Sequence, residues 1–332
     1  MIKLIAETAW HHEGDYDFMQ QLVEKICTDS SAHIIKLHIT IDLNEYMDTH
    51  HEAYTTLLPW IFSEEQWKKL IELIRFHGKE LMLLLNDSSA IRFAAQFQPE
   101  IVELHSVCLN VPNLQKELID HTDPKTKVAI GVGGCTLQEV DAAVQVFSSR
   151  ETILMFGFQN YPTRYEDVNL AKIRKIQALY NDKNFGYADH TGWNEPNNEL
   201  ITLLVAANAM NYVEKHVTTA YGNKRCDYSA AISIAMLNEF STRLEILDSL
   251  QGSGVLALND GEKTYSQYGP MKMAAVASRD FSKDEVLSEG MIRFCRTREK
   301  SDLSQLDILE SFGRKIRRNL SVGHVMQRED LE

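Results

Sequence analysis

The segments NFGYADH (184–190) and NYVEKH (211–216) are short apolar runs that end in charged residues and a histidine. Six similar runs precede them, and segments with helical periodicity lie between the runs. Eight buried strands that alternate with helices are typical of a (β/α)8 TIM barrel, an α/β fold. The six earlier runs are KLIAE (3–7), HIIKLHI (33–39), ELMLLLND (80–87), IVELHS (101–106), KVAIGVG (127–133) and TILMFGFQN (152–160).

Polar side chains close most of these runs. Because barrels of this type build their active sites at the C-terminal ends of the strands, the closing residues are candidate site residues. They are Glu7, Lys36, His38, Asn86, Glu103, His105, Gln159, Asp189, His190, Glu214 and His216.

The chain of 332 residues is longer than one barrel of about 250 residues, so we expect a small second domain. Residues 1–252 carry the barrel pattern. Residues 253–270 are rich in Gly, Ser and polar residues and read as a linker. Residues 271–332 are turn-rich and predict a small β-rich module.

Composition restricts the possible partners. The net charge of −13 argues against nucleic acid, whose phosphates require a basic surface. No apolar run approaches the roughly 18 residues of a membrane span. The five cysteines are odd in number and lack CxxC spacing, which indicates reduced thiols. These features predict a cytoplasmic enzyme.

His190 and His216 close the seventh and eighth strands, which are neighbours in a barrel. Two neutral imidazoles on adjacent strand ends suit a divalent metal ion. The alternative is that each histidine only forms a hydrogen bond to a loop.

Glu7 closes the first strand, and Lys36 lies within the second. A carboxylate at the barrel mouth can act as an acid or base, or it can pair with Lys36 or Lys215. A lysine in an apolar strand needs an anion, either a substrate carboxylate or phosphate, which we favour, or an internal carboxylate.

Five motifs together resemble the N-acetylneuraminate (sialic acid) synthase family over essentially the whole chain. The region 270–332 is similar to the C-terminal antifreeze-like (SAF) domain of that family. The motifs are AETAWHHEGD (6–15), IIKLH (34–38), NYPTRYEDVNL (160–170), GYADHTG (186–192) and VEKHVTT (213–219).

The resemblance implies that phosphoenolpyruvate condenses with an open-chain N-acylated mannosamine-type sugar. The products are a nine-carbon 2-keto acid and phosphate. It also implies a divalent metal, Mn²⁺ or Mg²⁺, that activates the sugar aldehyde, and a domain-swapped homodimer.

The same resemblance assigns roles to individual residues. It makes His190 and His216 the metal ligands and Glu7, Lys36 and His12 catalytic residues. The expected substrate-binding residues are Asp227, which holds sugar hydroxyls, Arg296, which reaches the sugar of the other subunit, and His38, Ser106, Gln159, Asp189 and Lys215.

The chain departs from the family pattern where phosphate binds. Glu103 aligns with a phosphate-binding lysine, Cys108 with a metal-site glutamate, and Ala188 with a serine. The segment Gly131-Val-Gly-Gly134 stands where the family has S-T-G-M on the fifth strand. Glu103 then faces a trianionic substrate, and we expect His38 and His105 to offset its charge only if they are protonated.

Three functions stay open on this evidence. The favoured one is a sialic-acid-synthase-like transferase. The second is a metal-dependent aldolase or lyase that uses pyruvate or another phosphate-free 2-keto acid. The third is a non-catalytic homologue that binds a sugar.

Overall fold

A computed structural model describes residues 1–157 and 160–332. The chain forms two compact units, Met1–Gly252 and Ser253–Glu332. Among the described residues, no helix is long and apolar enough to cross a membrane.

The first unit is a closed barrel of eight parallel strands, in which each strand pairs with the next and β1 pairs with β8. This confirms the predicted TIM barrel. A two-residue strand, β9, extends the sheet beside β8. The strands are β1 (Lys3–Glu7), β2 (Ile34–Ile39), β3 (Glu80–Leu85), β4 (Ile101–Leu104), β5 (Lys127–Gly131), β6 (Thr152–Gly157), β7 (Asn184–Asp189), β8 (Tyr212–Thr218) and β9 (Ile232–Ser233).

Helices surround the barrel, and several begin at a capping residue. Ser63 and Thr136 each form a reciprocal capping box with the residue three positions later, and Asp87 accepts a hydrogen bond from the Ala90 N–H. The helices are α1 (Tyr16–Asp29), α2 (Leu43–Tyr46), α3 (Tyr54–Leu57), α4 (Glu64–Phe76), α5 (Ser88–Ala95), α6 (Pro112–His121), α7 (Leu137–Val146), α8 (Tyr165–Val168), α9 (Leu170–Leu179), α10 (Asn198–Ala206) and α11 (Ile234–Gln251).

Side chains along each strand alternate between the barrel interior and the helix layer. Leu4 and Ile35, for example, belong to the large core shared with the helices. A small apolar cluster fills the interior and consists of Ile5, Ile34, Met82, Ile101, Ala129, Ile153, Met155, Ala188 and Tyr212. Residues two positions after these face the same way, so alternation directs Glu7, Lys36, Glu103 and Glu214 into the barrel mouth.

The second unit has a separate apolar core that includes Phe281, Leu287 and Ile316. It contains an antiparallel pair, β10 (Ala274–Ala277) and β11 (Ile292–Cys295), and the helices α12 (Asp260–Tyr265) and α13 (Gln305–Leu309). Helix α12 lies within the predicted linker. The identity of this unit as an antifreeze-like domain stays a prediction.

Gly157 closes β6 with φ +109°, and a Cβ built there would overlap the carbonyl oxygen of Ala188 on β7. Gly78 has φ +68°, but nothing lies within 4 Å of its Cβ position. We expect Gly78→Ala to lower the free energy of unfolding by about 1 kcal/mol through backbone strain alone. Gly157→Ala should lower it by at least about 3 kcal/mol, because a steric clash adds to the strain. Urea denaturation measures both values, and equal losses would contradict this account of the β6–β7 junction.

Candidate active site

A cavity of about 260 Å³ opens at the C-terminal ends of the barrel strands. Its charged and polar walls come from residues that the strand alternation turns inward and from the loops that follow. The lining includes Glu7, Trp10, Lys36, His38, Tyr46, Glu103, His105, Ser106, Tyr161, His190, Glu214, His216 and Asp227.

Lys36 lies at the centre of a buried ionic cluster. Its Nζ atom is 3.0 Å from Glu7 Oε2, 2.6 Å from Glu103 Oε2 and 2.9 Å from Glu214 Oε2. The other oxygen of Glu7 accepts a hydrogen bond of 2.7 Å from the Ala9 N–H. Of the two partners predicted for Lys36, the structure therefore shows the internal one. Glu103 faces inward, as the strand pattern predicts, and its charge is paired.

Burial and mutual repulsion change the protonation of this cluster. Burial raises the pKa of Glu214 to about 8, and burial also raises the pKa of Glu7. Burial alone would lower the pKa of Lys36, but Glu103, Glu214 and Glu7 together raise it well above its ordinary value. Near neutral pH the lysine is therefore charged, and Glu214 holds a proton for most of the time.

His190 and His216 form an aromatic cluster at the cavity wall, with ring centroids 4.8 Å apart. Tyr161 packs against both rings, at 5.4 Å from His190 and 6.2 Å from His216. The Nδ1–H of His190 donates to the carbonyl oxygen of Ala188 at 3.0 Å, so Nε2 carries the lone pair of the neutral ring. The Nδ1 atom of His216 is buried and has no hydrogen-bond partner.

The imidazoles at the cavity are neutral at physiological pH. Burial lowers the pKa of His190 to about 4 and the pKa of His216 and His38 well below 6.5. Burial likewise lowers the pKa of His105. Neutral rings suit metal binding. The lowered pKa values of His38 and His105 also correct the expectation that these two side chains could supply positive charge in place of a lysine.

Asp227 links the loop after β8 to the loop after β1. Its Oδ2 atom accepts a hydrogen bond of 3.1 Å from the Trp10 N–H, and the Tyr161 hydroxyl donates to its carbonyl oxygen. The neighbouring Arg225 donates to the carbonyl oxygens of His11 and His12 at 2.7 and 3.0 Å. These contacts fix the first loop against the cavity.

His12 requires a correction, because it does not line the cavity. It is fully buried, its ring lies 4.3 Å from the Phe62 ring, and its Nδ1 accepts a hydrogen bond from the Gly14 N–H. Burial lowers its pKa to about 3. The aromatic packing makes it a support for the first loop. His38, by contrast, lines the cavity and contacts the Asn86 amide at 2.8 Å.

Asp189 and Lys215 also require a correction. Strand alternation turns them away from the cavity and into the helix layer, where they form a fully buried ion pair. Lys215 also donates to Asn198 Oδ1 at 2.6 Å, and Asp189 accepts from the Thr191 hydroxyl at 2.6 Å. All their charged groups are thus engaged inside the protein, so we assign them a structural role instead of substrate binding.

The remaining predicted residues are spread more widely. Ser106 lines the cavity. Gln159 lies outside the described residues. Arg296 belongs to the second unit, where it donates to the carbonyl oxygen of Pro270 at 2.9 Å. Cys108 is buried, and it lines a neighbouring groove instead of the cavity.

Sequence reasoning missed three aromatic side chains that line the cavity, Trp10, Tyr46 and Tyr161. The signal for two of them was present, since Trp10 and Tyr161 lie inside the AETAWHHEGD and NYPTRYEDVNL motifs. Tyr46 comes from α2, in the long connection after β2, and no motif marks it.

Among residues 1–157 and 160–332, no group of three or more His, Cys, Asp or Glu side chains is arranged so that it could hold a metal ion. His190 and His216 therefore form a pair of potential ligands. A metal ion bound there would need its other ligands from substrate or water.

The model of the NeuB family matches residues 21–256 of this chain. An N,N'-diacetyllegionaminic acid synthase of Legionella pneumophila is 25% identical over 352 aligned positions, which cover 99% of this chain and 94% of the relative.

Two solved structures share the fold. A protein of Chromobacterium violaceum, described as a candidate spore coat polysaccharide biosynthesis protein E, superposes with a TM-score of 0.83 at 16% identity and covers 100% of both chains. The N-acetylneuraminic acid (sialic acid) synthetase of Leptospira borgpetersenii superposes with a TM-score of 0.71 at 22% identity, over 79% of this chain and 89% of that chain.

The structural role of Lys215 can be tested with Lys215→Met, which keeps the volume and leaves Asp189 buried without its partner. We expect the free energy of unfolding to fall by about 3–5 kcal/mol. The control is Lys25→Met in the exposed Lys25–Asp29 pair, which should change it by less than about 0.5 kcal/mol. Denaturation curves give both values. If Lys215→Met kept full stability, the pair would not be the structural element described here.

Proposed function

Because this chain belongs to the NeuB family, we propose that it is a sialic-acid-synthase-like enzyme that joins phosphoenolpyruvate to an N-acylated mannosamine-type sugar. The products are a nonulosonic 2-keto acid and phosphate. The legionaminic acid synthase relative, aligned over 99% of this chain, supports this reaction class.

The observation that carries the proposal is the arrangement at the barrel mouth. Glu7 on β1 and His216 on β8 are aligned register partners, and Lys36 on β2 lies 3.0 Å from Glu7. Acid and base groups, a cation and four imidazoles, among them those of His190 and His216, thus surround one cavity. That set suits a condensation in which protons are both given and taken.

His190 and His216 fit a divalent metal as two of its ligands. Both rings are neutral, and the buried Nδ1 of His216 lacks a hydrogen-bond partner. We propose that they hold Mn²⁺ or Mg²⁺, which would polarise the aldehyde oxygen of the sugar. This is the only chemistry that we assign to the metal.

Carbon–carbon bond formation requires a proton donor. When C3 of the enol attacks the aldehyde carbon, a bond forms between the two carbons and the aldehyde oxygen gains the electron pair. We propose that Glu214 gives that oxygen a proton. The Trp10 and Tyr161 rings line the cavity beside these groups.

The second half of the reaction requires a base. Attack by C3 leaves C2 of the donor electron-deficient, so water adds there and gives up one proton. The C2–O bond to phosphate then breaks, the remaining hydroxyl proton leaves with the phosphate, and C2 becomes the ketone. We propose Glu7 as the acceptor of the proton that water gives up on addition, because the Ala9 N–H and Lys36 hold its carboxylate in place. Lys36 stabilises the anionic donor.

The sugar is proposed to lie toward the loop after β8, where Asp227 accepts hydrogen bonds from its hydroxyl groups. Asp227 lines the cavity. We also propose that the enzyme is a domain-swapped homodimer in which Arg296 reaches the sugar of the partner subunit.

Phosphate release tests the proposed reaction directly. The full chain with Mn²⁺, phosphoenolpyruvate and N-acetylmannosamine should release one phosphate for each 2-keto acid formed, and neither substrate alone should release any. Glu7→Gln should lower the rate by about 100-fold or more, because a proton acceptor is lost.

The matched control for Glu7→Gln is Glu24→Gln, which makes the same change at an exposed position on α1 and should keep the full rate. Pyruvate consumption without phosphate release would contradict the synthase reaction and favour the aldolase alternative.

Metal binding by His216 has its own test. We expect His216→Ala to weaken Mn²⁺ binding by more than about 100-fold in titration calorimetry, since losses in the outer shell of a metal site alone reach 10–100-fold. The fold should persist, because His216 Nδ1 makes no hydrogen bond. The control is His50→Ala at an exposed histidine. Unchanged affinity in His216→Ala would remove this residue from the metal site.

A further inference from the structure

The number of carboxylates around Lys36 is unusual for an anion-binding lysine. An ammonium group has three N–H donors, and three carboxylate oxygens lie within 3.0 Å of Lys36 Nζ. Only the contact with Glu214 is a hydrogen bond, and Glu7 Oε2 and Glu103 Oε2 lie at ion-pair distance without one. An incoming anion therefore meets a lysine that already has three carboxyl groups around it.

Other cavity residues do not compensate for this. Within the described part of the chain, Lys36 is the only lysine or arginine that lines the cavity, whereas four carboxylates do: Glu7, Glu103, Glu214 and Asp227. The formal charge of the lining is therefore negative before any substrate enters.

The three glutamates that contact Lys36 stand on three different strands. Glu7 and Glu214 stand on β1 and β8, which pair with each other, and β1 pairs with β2, which carries Lys36. Glu103 stands on β4, which β3 separates from β2. It makes the shortest of the three contacts, at 2.6 Å. Glu103 thus reaches the ammonium group from a strand that does not pair with β2.

We propose that Glu103 is a specificity-determining residue that competes with the donor substrate for Lys36. This inference rests on the proposed function, because it concerns the same donor site. The Glu103 carboxylate occupies the position of a substrate anion and repels further negative charge in a buried, weakly screened environment. The site consequently discriminates between donors by their charge and penalises a phosphorylated donor most.

The test is titration calorimetry of the full chain with phosphoenolpyruvate and, separately, pyruvate at one pH and one Mn²⁺ concentration. Glu103→Gln should tighten phosphoenolpyruvate binding at least about tenfold. Pyruvate carries one negative charge, so we expect its binding to tighten only about two- to threefold, because the gain in binding free energy scales with the charge of the ligand.

Two further variants keep the test decisive. Glu103→Met removes the charge with an apolar side chain of similar length and should give the same order of effects. Glu24→Gln removes an exposed charge on α1 and should change neither affinity. If Glu103 had only a structural role, its replacement would weaken the binding of both ligands. The size of the loss would not depend on the charge of the ligand.

Equal phosphoenolpyruvate affinity in the wild type and both Glu103 variants would overturn the inference, as would equal gains for both ligands. So would a lack of phosphoenolpyruvate binding in every variant. The proposed function fails separately, through the absence of phosphate release with substrates and metal. A charge-dependent gain in binding without turnover would therefore support the role of Glu103 and contradict the synthase reaction.

Discussion

The structure of the barrel mouth depends on the ion pairs between the buried ammonium group of Lys36 and three glutamates. Strands β1, β2, β4 and β8 each contribute one member of its cluster. Isolated charges are costly to bury, so the three carboxylates can remain inside the protein only because the lysine lies among them, and the reverse also holds. The cluster consequently fixes four strand ends relative to one another. The catalytic groups that we propose are thus part of the same structure that closes the barrel.

Strand alternation explains why two ionic systems coexist without mixing. Glu214 and Lys215 are neighbours in sequence, but one turns into the cavity and the other into the helix layer. Lys215 meets Asp189 there and Glu214 meets Lys36 inside. The EKH motif on β8 therefore supplies a cavity acid, a structural cation and a cavity imidazole in three consecutive residues. A one-residue shift of register would exchange these environments.

Local patterns predicted the strands, the capping boxes and the list of strand-end residues, because hydrophobic periodicity and caps are short-range properties. The same alternation, applied to the strand ends, would have separated Asp189 and Lys215 from Glu214. The sequence offered Glu7 as a possible partner of Lys36, but the contacts with Glu103 and Glu214 could not be predicted, because β4 and β8 do not pair with β2 and reach Lys36 only across the barrel interior. The burial of His12 depends on Phe62, fifty residues later in the chain, which no local pattern connects to it.

The burial of the charged and polar side chains at the cavity has two opposite consequences for an anionic donor. Burial keeps the imidazoles of His190 and His216 neutral, which preserves their lone pairs for a cation. The same burial strengthens repulsion between the lining carboxylates and any anion.

With Glu214 protonated, Glu7, Glu103 and Asp227 outnumber Lys36 and leave a formal charge of −2. A divalent cation at the histidines would offset that charge, so by linkage the cation and the donor would each strengthen the binding of the other. If the proposed reaction holds, donor affinity depends on the balance between Glu103, which opposes the donor, and the positive charge of Lys36 and a bound cation.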